Sequence, residues 1–174
     1  IKLLPVDINE SFADFTPGED SIRFGMNAVK NVGRNFVDCI VKNREREKYT
    51  CLKDFCRKNV DDGLNKRAME CLIKAGAFDS LGGFRSQYLV IFDKYIDEAL
   101  HSARTNFTGQ LSLLSGTEIH DDLPGVMDFS LQYKLIIEKE VLGIYISVNF
   151  MQSENARLPI LVMPFGIFIL SNSV

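Results

Sequence analysis

The sequence predicts a mainly α-helical protein with a short extended N-terminal segment, two glycine-turned helical hairpins in tandem, and a C-terminal helix after an exposed linker. Three observations lead there. Apolar residues recur at helical spacing through most of residues 25 to 104. Glycines punctuate that region where one helix would stop and the next begin. The stretches before residue 25 and from 105 to 128 carry Pro, Gly, Asn and Asp without a sustained period. With 174 residues, 46% hydrophobic and 25% charged, the chain can bury one sizeable core or two small ones.

The opening, IKLLPVDINESFADFTPGEDSIRFG, contains Pro5 and the Pro17-Gly18 dipeptide, so residues 1–24 are expected as short extended segments joined by turns, the tail of a preceding domain. From Gly25 the period becomes helical. Met26, Ala28 and Val29 lead into Asn31-Val32-Gly33, after which Phe36, Val37, Ile40 and Val41 run on to the charged end Lys42 to Lys48. Leu52, Phe55 and Cys56 mark a short helix. Asn65 can cap the next, whose stripe of Met69, Leu72 and Ile73 stops at Gly76. AFDSLGG is then a turn, and a long helix runs from about Arg85 to Arg104, because Tyr88, Leu89, Phe92, Tyr95, Ile96, Ala99 and Leu100 share one face. Residues 105–128 read as an exposed linker with one apolar island, Gln110 to Leu114. A final helix from about Ser130 to Leu142 sets Leu131, Leu135, Val141 and Leu142 against Lys134, Glu138, Lys139 and Glu140. The apolar stretch 148–174 remains unassigned.

Composition excludes some classes. The longest uncharged apolar run, Leu158 to Leu170, contains two prolines and is shorter than the roughly 20 residues of a spanning helix. A soluble, cytoplasmic protein with no membrane partner is therefore expected. Cys39, Cys51, Cys56 and Cys71 form no CxxC pair, and His101 and His120 lie far downstream, so reduced, partly buried thiols are expected and no metal site. The net charge of -3 hides a partition: residues 1–22 carry one Lys against five acids, residues 23–85 fourteen Lys and Arg against eight, and residues 86–174 five against ten. A basic centre lies between acidic flanks, which suits either a polyanion partner or a solvated helical surface.

The two glycine turns decide what that centre can do. A helix opening after such a turn offers free backbone N–H groups and a partial positive charge, and glycine lets a phosphodiester approach where a Cβ would stand. The first turn supplies Lys30, Asn31, Val32, Gly33 and Arg34; the second supplies Lys74, Gly76, Gly82, Gly83 and Arg85. Neither resembles a base-reading helix, so binding to backbone without sequence preference is the expectation. A plain helical hairpin with its glycine as a C-cap is the competing reading.

IRFGMNAVKNVG, then LNKRAMECLIKAGAFDSLGGFRSQ, then EKEVLGIYIS resemble, in that order, the region C-terminal to the fingers of the bacterial DNA polymerase III alpha-subunit family. LLPVDINESFADFT is similar to the segment leading into it. The resemblance covers roughly residues 1 to 147. It implies that residues 25–104 form a tandem helix-hairpin-helix domain facing the phosphates of double-stranded DNA, and that residues 1–24 end a fingers-like segment. It also gives the island a meaning: Gln110, Leu111, Ser112, Leu113 and Leu114 resemble the pentapeptide by which bacterial replication proteins hold the sliding clamp, with Leu114 where Phe is usual. Residues 129–147 would then lead toward an OB domain, but Val148-Asn149-Phe150 depart from the family pattern.

Polymerisation needs carboxylates that hold two divalent metal ions. The family places them upstream of this region, and the acids here form no paired arrangement. The expectation is a non-catalytic, cofactor-free part of a nucleotidyltransferase whose partners are double-stranded DNA, the sliding clamp and other replicase subunits. The alternative is a helical protein-interaction domain that never touches DNA.

Overall fold

The computed structural model describes residues 2–107 and 119–144, together with two strands at Ile160–Met163 and Ile167–Leu170. The expected extended start is a small sheet. Strands β1 (Lys2–Leu4) and β3 (Ser21–Arg23) pair in parallel, with Leu3 opposite Ile22, and β2 (Thr16–Pro17) lies antiparallel on the other side of β3. The sheet segment is not set apart from the helices. Val6, Ile8 and Phe24 join the helical residues in one buried cluster, and the Ile8 amide donates to the Ala77 carbonyl at 2.8 Å. Asn9 holds Tyr49 through two amide bonds of 2.9 Å, and the buried Arg44 donates to the carbonyls of Ile8 and Ser11. Residues 1–24 and 25–104, expected as separate units, thus share one core.

Helices α1 (Arg34–Arg46), α2 (Leu52–Asn59), α3 (Lys66–Lys74) and α4 (Arg85–Phe107) match the apolar periodicity closely. Phe36, Val37 and Ile40 bury the inner face of α1. Asn65 caps α3 by accepting from the Ala68 amide at 2.9 Å, and Gly76, just past its end, has φ +82°. Helix α4 packs on both α2 and α3. Phe55 sits at the centre, edge-on to Phe36, Tyr49 and Phe78, with Tyr88 beyond. A fully buried Phe in such a cluster contributes about 2–3 kcal/mol by area and more through its ring edges.

Three expectations are corrected. The first arm of the first hairpin is a single 3₁₀ turn, Met26–Ala28, not a helix. The amides of Met26 and Asn27 donate to the carbonyls of Phe12 and Ala13, and Val29 is already extended, so no helix can propagate. The linker is not free where it is described. Asp121 accepts from the amides of Leu52 and Lys53 at 2.9 Å and caps α2, while the Asp122 amide donates to the Tyr95 hydroxyl at 2.7 Å and Gln87 donates to the Pro124 carbonyl. The last helix, α5 (Leu131–Leu142), has the expected bounds, with Ser130 as its cap and Gly143 just past its end, but the face it buries is only partly the expected one. Ile137, Glu138 and Val141 point inward against α3, whereas Leu131 and Ile136 are exposed. Periodicity alone sets Glu138 on the polar face, because a buried carboxylate cannot be told from a solvated one without its partner. Strands β4 (Ile160–Met163) and β5 (Ile167–Leu170) pair antiparallel in the apolar stretch to which the sequence assigns no element.

Candidate nucleic-acid interface

The first turn has the geometry its residues imply. Asn31 has φ +63° and is the one non-glycine with positive φ among the described residues. Asparagine accepts this left-handed state more readily than most side chains. Val32 turns inward, and Gly33, with φ -82° and ψ 146°, is the N-cap of α1. Gly33 has no side chain to cap this helix, and among the described residues no side-chain bond to its first-turn N–H groups is found, so they carry the partial positive charge of the helix end. A Cβ built on Gly33 would meet nothing within 4 Å. The glycine is not required by conformation or packing, and what it leaves is open room over the helix N-terminus. Lys30, Asn31 and Arg34 are exposed around it; Arg34 makes one solvent-exposed ion pair, with Asp14 at 3.3 Å, of the kind that contributes little.

The second turn is built differently. Arg85, expected at the surface, is 4% exposed. Its guanidinium donates to Asp79 at 2.7 Å, to Glu138 at 3.2 Å and to the Lys74 carbonyl at 3.2 Å. Burial alone would lower its pKa, but the hydrogen bonds and charges of Asp79 and Glu138 more than offset that, and the net shift is upward. Lys74 is mostly covered and paired with Glu70 at 2.8 Å and Glu140 at 3.7 Å; the bond to Glu70 raises its pKa. Gly76 is buried, and its missing Cβ makes room for the Arg85 guanidinium. The amide of Gly83 donates to the Tyr88 hydroxyl at 2.9 Å, and the Phe84 amide to Gln87 at the start of α4. Of the five residues expected to bind here, Gly82, left-handed with φ +88°, is the exposed one. The charged side chains expected to meet phosphate at this turn are instead held by acids: Lys74 by Glu70 and Glu140, and Arg85 by Asp79 and Glu138.

Three exposed cations escape the sequence reading: Lys42, Arg46 and Arg67 take part in none of the ion pairs among the described residues. Two of them continue α1 at four-residue steps from Arg34, with Asp38 between, a spacing that could have shown they share its face. The clamp-like residues Gln110, Leu111, Ser112, Leu113 and Leu114 lie outside the described residues. Among those described, no group of three or more His, Cys, Asp or Glu converges to hold a metal ion. Likewise, no described helix is long and apolar enough to cross a membrane.

A family model described as the helix-hairpin-helix motif matches residues 1–88, from β1 through the first residues of α4. The chain is also similar to proteins named DNA polymerase III subunit alpha. That of Mycobacterium leprae is 36% identical over 153 residues, covering 84% of this chain and 13% of the relative. That of Saccharopolyspora erythraea is 38% identical over 163 residues, covering 86% and 13%. That of Borreliella burgdorferi is 34% identical over 154 residues, covering 84% and 13%. This chain therefore spans about an eighth of the length of these relatives. The family match takes in both turns, one open and one closed by its own ion pairs, and with it the chain belongs to the helix-hairpin-helix motif family, in a stretch it shares with alpha subunits of DNA polymerase III.

Proposed function

We propose that this chain is a non-catalytic, DNA-binding part of a bacterial replicative polymerase, and that it holds the backbone of double-stranded DNA through the first turn. The observation that carries this reading is the uncapped N-terminus of α1, open above Gly33 and flanked by exposed Lys30 and Arg34. Donors of this kind hold phosphate oxygens without reading bases. The contact therefore carries no sequence preference and weakens with salt. The second turn supports the first from within, and its part in binding rests on the exposed Gly82.

Fluorescence anisotropy with two short duplexes of unrelated sequence, each at two salt concentrations, tests the reading. Both duplexes bind alike, with affinities of roughly 10⁻⁴ to 10⁻⁶ M typical of non-specific contacts. Lys30→Glu with Arg34→Glu weakens binding and lowers the salt slope by about one for each phosphate no longer neutralised. No binding at low salt, or indifference to the double variant, would falsify the DNA reading.

Contact with the sliding clamp is a separate proposal that rests on the sequence of Gln110 to Leu114. Gln110 supplies a hydrogen-bonding anchor, and Leu113 and Leu114 fill an apolar pocket. Replacing Gln110 and Leu113 together by Ala abolishes clamp binding while duplex binding stands; unchanged clamp binding rules the proposal out. Protein contact has its own support elsewhere, because Met127 is 89% exposed and Leu131, Tyr133 and Ile136 on α5 are exposed as well. These apolar side chains suit other replicase components.

A further inference from the structure

We propose that Cys71 and the Val141 carbonyl are positioning groups for the phosphate-facing turn, an inference that rests on the DNA reading above. The left-handed state of Asn31 is open to asparagine but is not its only choice, so something outside the turn must select it. Two contacts from distant parts of the chain do so. The Asn31 side-chain amide donates to the Cys71 sulfur on α3 at 3.3 Å, and the neighbouring Lys30 amide donates to the Val141 carbonyl in the last turn of α5 at 2.9 Å. Cys71 is 7% exposed, and α3 ends in the second turn at Gly76. The pair therefore ties the open turn to the helix that leads into the closed one.

Val32 anchors the same turn in the core, and the bond from the Val32 amide to the Val29 carbonyl closes it locally. With Lys30, Asn31 and Val32 each held from behind, Gly33 and Arg34 have one direction left, outward. A thiol is a weak acceptor, so its effect is one of orientation: it biases the Asn31 side chain, and through it the backbone, toward the conformation that presents the amides of α1.

Duplex anisotropy and amide hydrogen exchange on four variants test this. Cys71→Ala removes the acceptor and is expected to weaken duplex binding about two- to threefold, the low end for one hydrogen bond because the acceptor is weak, with faster exchange at residues 31–33. Cys71→Ser retains an acceptor and restores binding toward the wild type. Asn31→Gly reaches positive φ without help, so adding Cys71→Ala to it changes neither readout further. Equal binding by wild type and Cys71→Ala overturns this inference alone. A Cys71→Ala loss that persists undiminished in the Asn31→Gly background also overturns it, since the effect is then general. A wild type that binds no duplex overturns the DNA reading and this inference with it.

Discussion

Gly76→Ala should be among the most destabilising single-methyl additions in this protein, and the structure allows its size to be worked out. Gly76 has φ +82°, which costs a non-glycine residue about 1 kcal/mol or more, partly offset by about 0.4–1 kcal/mol from the stiffer unfolded chain. A Cβ there would stand 2.2 Å from the Arg85 Nη2, 2.7 Å from its Cζ and 2.8 Å from an Asp79 carboxylate oxygen. An exposed arginine would swing aside at small cost. Arg85 is buried, held on one side by Asp79, on another by Glu138 and on a third by the Lys74 carbonyl, so moving it separates a buried ion pair, a loss of about 3–5 kcal/mol. Asp79 is half exposed, which argues for the lower end. The expected total is about 3–4 kcal/mol, or a Tm lower by roughly 6–16 °C for a chain of this size.

Gly82→Ala is the matched control. Its φ is +88°, but a Cβ would meet nothing within 4 Å, so only the conformational cost of about 1 kcal/mol applies, with the same partial offset from the unfolded chain. Urea unfolding of the two variants side by side reads the difference directly. If they lose the same stability, Gly76 does not make room for the guanidinium, and the account of the second turn as an internally braced element is wrong.

Gly33→Ala gives the opposite pattern: its φ is -82° and the space is open, so stability should stay within about 0.5 kcal/mol, while duplex affinity measured by anisotropy falls because the methyl group occupies the phosphate approach. Asp121→Ala removes two hydrogen bonds from the α2 N-terminus and should cost about 1–2 kcal/mol in urea unfolding; unchanged stability would show that residues 119–124 do not brace the bundle. Burial pushes Tyr49, Tyr88 and Tyr95 from the ordinary 10 up to about 12. A pKa raised in the folded state means stability that is complete below about pH 10 and is lost as pH climbs toward 12, by up to roughly 2–3 kcal/mol per tyrosine. Unfolding measured against pH alongside tyrosinate absorbance checks this, and tyrosines titrating at their ordinary value in the folded protein would contradict it.

Helix positions are legible in the sequence because they depend on local signals: the Asn65 cap, the Gly76 stop and the 3.6-residue stripe of α4 each lie within a few residues of what they specify. The left-handed Asn31 and the opening of α1 at Gly33 are legible for the same reason. Long-range pairing is not. Arg85 has the look of a surface cation because its partner Glu138 lies 53 residues away on a helix whose apparent polar face includes it. Asp121 has the look of a linker acid because the amides it caps lie 68 and 69 residues upstream. In both cases residue type sets the chemistry available, and tertiary packing decides whether water or protein receives it.

The same distinction changes what the basic centre means. A surplus of six positive charges over residues 23–85, fourteen cations against eight acids, suggests a broad basic surface, but most of those cations are engaged. Lys48, Lys53, Lys58, Lys66, Lys74 and Arg85 pair with acids, several of them from the acidic flanks, and Arg44 serves backbone carbonyls. Within residues 23–85, the exposed cations outside the ion pairs described are Lys30, Lys42 and Arg46, on α1 or the turn before it, and Arg67 on α3. Arg34, whose ion pair with Asp14 is solvent-exposed, joins Lys30, Lys42 and Arg46 on α1 or the turn before it, with the exposed Asp38 among them. Because attraction between exposed charges fades beyond roughly 8–10 Å at ordinary salt, a phosphate at Gly33 would meet chiefly Lys30 and Arg34, not Lys42 and Arg46 more than two turns along α1, and not the net charge of -3. An acidic protein can therefore present cations locally at one turn, and the acidic flanks neutralise several cations elsewhere while contributing Asp14 beside Arg34.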